Sequence, residues 1–193
     1  MSGYLGVEPT IAVAGYADWI PLQTVTASLD SAIGFSGIST DFDEYRWDFI
    51  NIHPQTDAAQ LLFQVNAAGA TGFNESITST AVRAYQQEDD SGGAVDYRAG
   101  EDQANGTAYE IVMEGIDNAN DMGGSGSLTI YAPASGTFMK HFVLESNTTL
   151  TAGTKHQLQA GYINITTAIV EVNFKMSSGY IETGTITMFG LGK

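Results

Sequence analysis

The sequence predicts an all-β fold: a single antiparallel jelly-roll-like β-sandwich preceded by an extended N-terminal arm. Three observations carry that expectation. Apolar residues recur with period two rather than at helical spacing. The alternating runs are bounded by clusters of Gly, Asn, Asp and Pro. In the C-terminal half the runs return about every dozen residues, the cadence of a sandwich or barrel. With 193 residues, 43% of them hydrophobic, the chain is long enough to bury one core. It contains no cysteine, so neither a disulfide framework nor a thiolate metal site supports it.

Residues 1–22 are poor in charge and punctuated by Gly3, Gly6, Pro9, Gly15 and Pro21. They read as an arm that needs a partner surface, with the sandwich spanning 23–193. Segment 23–29 then alternates, with Val25, Ala27 and Leu29 on one side. In 45–53, Tyr45, Trp47 and Phe49 form one face and Ile50 and Ile52 lie opposite, until Pro54 stops the ladder because it has no N–H to donate. Leu61, Phe63 and Val65 share a face in 60–66, and Asp57 between these runs suits a hairpin turn.

Segment 80–87 is ambiguous, since Val82 and Tyr85 sit at helical spacing within a strand-like stretch. Residues 88–106 are acidic and Gly-rich and read as a long exposed loop. Runs at 108–116 and 127–132 flank IDNANDMGGSGS, which predicts a hairpin with a long Asx/Gly tip. Runs at 138–144, 156–163, 169–176 and 184–189 complete nine or so strands. A seven-stranded immunoglobulin-like sandwich is the nearest rival and lacks a Cys…Trp…Cys spacing.

Twenty-two acidic residues against seven basic ones give a formal net charge of −15. Such a surface repels phosphate backbones, so nucleic acid is not an expected partner. The opening residues lack a basic n-region, and Glu8 and Asp18 interrupt their apolar stretch, so neither a signal peptide nor a membrane span is expected. Sequons at Asn74, Asn105, Asn147 and Asn164 read as chance in a Thr-rich chain made in a cytosol.

The search for chemistry returns no enzyme signature. His53, His141 and His156 have no second histidine or carboxylate at ligand spacing, so no metal site or cofactor is predicted. The run from Asp117 to Gly123 departs from a calcium loop: Ala119 stands at the third ligand position and the distant Glu is missing. Asx turn chemistry explains it better. Glu88, Asp89, Asp90, Glu101 and Asp102 read as a solvated acidic face. The Gly123-Gly-Ser-Gly-Ser run misses the nucleophile elbow, and Trp47, beside Asp43, Glu44 and Asp48, reads as core.

Two stretches carry a resemblance. RWDFINIHPQTDAAQLLFQV (46–65) and VNFKMSSGYIETGTITMFGL (172–191), with the Gly-rich tip and the strand beginning at Leu128, resemble β-rich virion structural proteins of tailed marine and cyanobacterial bacteriophages. The likeness covers most of residues 45–190 and leaves out the arm. In it, 172–191 looks like a closing hairpin, with Ser178-Gly179 and Thr183-Gly184 as turn and bulge residues.

The resemblance implies a virion surface protein assembled in the bacterial host cytoplasm, and supplies no catalytic residue. Two roles stay open. One is a capsid cement or decoration protein, expected as a homotrimer, that binds the major capsid protein and stabilises the shell. On that reading Tyr4, Leu5, Val7, Ile11, Trp19 and Ile20 anchor the arm on its partner. The other is a tail-fibre or head-fibre component that binds a host-surface receptor or glycan through Tyr97, Tyr109 and the 117–126 tip.

Overall fold

The computed structural model describes residues 18–191. Nine strands form one sheet, in the order β1 (Trp19–Thr26), β13 (Ile181–Leu191), β3 (Glu44–Pro54), β9 (Gly124–Tyr131), β10 (Lys140–Leu150), β11 (Gly153–Ile163), β5 (Ile77–Gln87) and β6 (Gly93–Tyr97), with β7 (Ala104–Gly106) also paired to β5. Four strands form the second sheet, in the order β2 (Ile33–Ser36), β12 (Ile169–Met176), β4 (Ala59–Ala67) and β8 (Glu110–Ile116). Every pairing is antiparallel, and no helix occurs among the described residues. The expected class, an all-β antiparallel sandwich, is the class found.

The alternation in β3 builds the centre of the core. Tyr45, Trp47 and Phe49 point inward and are fully buried, and Phe174 of β12 meets the rings of both Trp47 and Phe49 from the opposite sheet. Phe63 of β4 packs edge-on against Phe142 of β10 at 5.4 Å between ring centroids. Each such side chain contributes roughly 1.5–3 kcal/mol by leaving water. These aromatics, with Leu61, Val65, Leu128, Leu144 and Val172, form one cluster between the sheets.

That apolar core does not extend under the whole nine-stranded sheet. Beneath the second half of β5, the first half of β11 and β6 the interior is polar, whereas Ile77 and Ile163 at the other end of β5 and β11 belong to the apolar core. Arg83, Arg98 and Lys155 converge there on Glu114, at 3.2, 2.9 and 3.8 Å. Arg83 also pairs with Asp96 at 2.9 Å and Arg98 with the buried Glu101 at 2.7 Å. Gln157 Nε2 donates to Glu101, and Glu110 accepts from Ser79 and Gln103. Three of the seven basic residues are thus used on one internal network.

Several expectations are corrected. The segment 88–106 is not one exposed loop: it carries β6 and β7, and Glu101 is buried and ion-paired rather than part of a solvated face. The ambiguous 80–87 stretch is strand, within β5. The turns at 55–58, 117–123 and 177–180 do not close hairpins. β3 and β4, β8 and β9, and β12 and β13 lie in different sheets, so each turn crosses from one layer to the other. Period two records that one face is buried and is silent about which neighbour pairs.

β1 begins at Trp19, inside the segment expected as the arm. Trp19, Ile20 and Pro21 pair with Leu191, Gly190 and Phe189. It is an edge strand, where Pro21 removes no ladder bond that the fold needs.

Candidate functional site

Strand β3 does not keep its alternation to the end. Its register with β9 jumps between Phe49 and Ile52, and its register with β13 jumps between Thr183 and Thr185. Asn51 takes a left-handed conformation (φ 51°) at the jump, and Gly184 faces it with φ 120°. The extra residue leaves Ile50 exposed yet turns Ile52 into the core, so the expectation that both share one face fails. A bulge in each of two neighbouring strands bends the sheet locally and re-aims side chains.

The bend opens a groove of about 560 Å³. Its walls come from β3, β13, the start of β9 and the end of β10. Gly123 and Gly124 bring β9 close: a Cβ on Gly123 would lie 3.2 Å from the Ile52 carbonyl oxygen, and one on Gly124 would lie 2.6 Å from Met113 Sδ. Thr149 braces the rim, its hydroxyl donating to the Gly123 carbonyl at 3.0 Å and accepting the Gly123 N–H at 2.9 Å.

His53 stands in the wall with its Nδ1 2.9 Å from the Met122 carbonyl oxygen. That oxygen only accepts, so Nδ1 carries the hydrogen and Nε2 is the acceptor of the neutral ring. Nε2 lies 3.7 Å from Glu182 Oε2, beyond hydrogen-bond range. The side chains of Asn51, Asn120 and Asp121 also line the groove and make no hydrogen bond among the described residues. Ser125 and Asn147 continue it into a shallower trough on the outer face, past Asp48, Glu145 and His156.

Comparison with protein-family models, curated proteins and solved structures found no match for this chain.

The outer face of the nine-stranded sheet is the second feature. Leu158, Val82 and Tyr97 stand opposite one another across β11, β5 and β6, with Val143 and Val95 on the adjoining diagonals. All five are exposed, Val95 by 74% and Tyr97 by 55%. Ala160 stands opposite Val143 and Ala84 opposite Val95, in the rows on either side of Leu158, Val82 and Tyr97.

Of the residues predicted to anchor the arm, Tyr4, Leu5, Val7 and Ile11 lie outside the described residues. Trp19 lies on the outer face, its ring 5.9 Å from the Arg46 guanidinium, and Ile20 is exposed on the edge strand beside it. The 117–126 tip contributes Asn120 to Ser125 to the groove wall. Tyr97 and Tyr109 do not join it. Tyr97 lies on β6, at the far side of the sheet, and its hydroxyl donates to Asp102. Tyr109 donates to Asn173 at 3.1 Å under the Lys175 ammonium.

Asp117 accepts from the Thr151 hydroxyl and from the Ala119 N–H at 2.8 Å, and these bonds, the first above all, hold its carboxyl below the usual range. This is the turn chemistry expected for the calcium-like run. No cluster of three or more His, Asp or Glu suited to a metal occurs among the described residues. His141 stacks edge-on against Tyr162, and His156 Nε2 meets Glu145 at 3.0 Å. Both carboxylate partners of histidines, Glu182 and Glu145, come from elsewhere in the chain, which sequence spacing does not reveal. Asn51 between two isoleucines and Gly184 between two threonines were the local signals of the bulges.

Proposed function

We propose that this chain is a virion structural protein, a decoration or cement protein that binds the capsid shell of a tailed bacteriophage through the outer face of its nine-stranded sheet. The observation that carries this reading is the in-register apolar patch formed by Val143, Leu158, Val82, Tyr97 and Val95. Five large apolar side chains presented together on one sheet face mark an interaction surface. The sheet is wide, and burial of such a face against a shell subunit supplies adhesion without chemistry.

The partner's character follows from charge. Glu44, Asp48 and Glu145 stand on the same outer face, and the chain carries a net charge of −15. Two such faces repel each other, whereas a shell surface with an apolar centre and Lys or Arg at its margin complements them.

The test is cosedimentation of the purified full chain with phage capsids that lack it. Binding is expected, and Leu158→Asp or Val95→Asp is expected to abolish it while leaving the melting temperature of these exposed-site variants within a few degrees of the parent. Capsid binding that survives both substitutions overturns the assignment of this face.

A further inference from the structure

We propose that the groove between the β3 and β13 bulges binds a neutral saccharide of one or two hexose units. This goes beyond the capsid-docking reading and does not depend on it, because the two features share only β10, which gives Asn147 and Thr149 to the groove and Val143, at its other end, to the patch.

The groove is built rather than incidental. A non-glycine residue in the left-handed region costs of order 1 kcal/mol or more and persists where the surroundings impose it. Here Asn51 holds that conformation, its N–H donating to Ser125 Oγ at 3.1 Å. The facing Gly184 admits it: a Cβ there would come within 2.7 Å of the Asn51 carbonyl oxygen. The outcome of this arrangement is an Asn side chain raised out of a β-ladder and presented to a cavity of about 560 Å³. That volume lies in the range of about 300–1,000 Å³ typical of small-molecule sites.

The lining chooses the ligand class. Asn51 and Asn120 each offer a donor and an acceptor from one planar amide, and Asp121 and Glu182 offer acceptors. None of these four side chains has a hydrogen bond within the described fold. His53 Nε2 and Glu182 Oε2 both accept and stand 3.7 Å apart, so two adjacent hydroxyls of one ligand can each donate to one of them. Ligands with many hydroxyls match a wall that mixes donors and acceptors at close spacing.

Other classes fit less well. The carboxylates of Asp121 and Glu182 repel phosphate, sulfate and sugar acids. Among the described residues no Phe, Tyr or Trp lines the groove, which disfavours a flat apolar ligand. A peptide adding as a strand needs a free edge, and β3, β13 and β9 are each paired on both sides.

The experiment titrates the full chain with maltose, cellobiose, lactose and chitobiose, each to about 50 mM, well above the millimolar constants of weak binding. Amide NMR shifts are the readout. At least one sugar is expected to move the resonances of Asn120, Asp121 and Ser125. Asp121→Ala and Asn120→Ala, at exposed turn positions, are each expected to weaken that sugar about tenfold with an unchanged spectrum elsewhere. A sulfated disaccharide and a neutral tripeptide serve as controls. Silence with all four sugars, shifts confined to another face, full affinity in both variants, or preference for either control overturns the proposal. None of these outcomes bears on capsid binding.

Discussion

Gly184 lies against Asn51 so closely that a methyl group on it would meet the Asn51 carbonyl oxygen at 2.7 Å and the Ile52 Cα at 2.8 Å. Both neighbours are backbone atoms of β3 and have no side-chain freedom with which to yield. Gly184 also holds φ 120°, which L side chains rarely adopt. Gly184→Ala is therefore expected to destabilise the fold by roughly 3 kcal/mol, from backbone strain and overpacking together. Denaturant unfolding measures it as a lower midpoint at unchanged slope. A loss below about 1 kcal/mol would mean that the paired bulges yield easily, and that the groove is not rigidly formed.

Glu110 gives a prediction in pH. Burial pushes its carboxyl up to about 7, against which the bonds from Gln103 and Ser79 pull only in part. The folded chain thus holds a proton that the unfolded chain releases near 4.5. Stability on this account is highest below about pH 4.5, falls as pH rises toward 7, and levels off above it. The full loss is on the order of 3 kcal/mol. Glu110→Gln removes the titration. The stability difference between variant and parent should therefore shift in the variant's favour between pH 4.5 and 8. A difference that stays flat over that range would place no titration on Glu110.

How much of this was legible in the sequence depends on what each residue's pattern encodes. Tyr45, Trp47 and Phe49, and likewise Leu61, Phe63 and Val65, alternate because one side of each strand is buried, and that was readable directly. The layer each strand joins was not readable. Asp57 and Gly179 sit in turns that look the same whether the chain doubles back in one sheet or crosses to the other. The polar interior under β5 and β11 was hidden for a different reason. Glu101 and Glu114 look like solvated acids until the fold sets Arg98 and Arg83 against them. The groove was partly visible, in the Asx/Gly tip, but His53 and Glu182 meet only because β13 returns beside β3.

Glu114 is the hub of that internal network, accepting from Arg83 and Arg98 with Lys155 beside it. It is largely buried, as is Arg83. Glu114→Gln keeps the shape and removes the charge, which leaves two guanidiniums and an ammonium with too little compensation. Loss of one partner from a buried ion pair costs about 3–5 kcal/mol. The same substitution made with Arg83→Met should cost less than the sum of the two single changes, because the second removes a charge that the first left with Asp96 as its only carboxylate partner. Additive losses in that double-mutant cycle would show that the two groups act independently.

Lys140 is fully buried, and its ammonium donates to the carbonyl oxygens of Phe138 at 2.5 Å, Thr166 at 3.1 Å and Ile165 at 3.5 Å. It ties the loop before β10 to the loop after β11. Burial lowers its pKa from the ordinary lysine value, so the charged form is held against a desolvation cost that the three carbonyls offset. Lys140→Met fills similar volume but leaves those oxygens without their donor. The expected cost is about 2 kcal/mol, the penalty for stranding buried acceptors. Its location is the sharper part of the prediction. Amide hydrogen exchange should accelerate at 136–139 and 164–168 while the β3 and β4 amides keep their protection, because local opening follows the lost tie. Uniform acceleration across both sheets would instead make Lys140 a general stability element rather than a clasp between two loops.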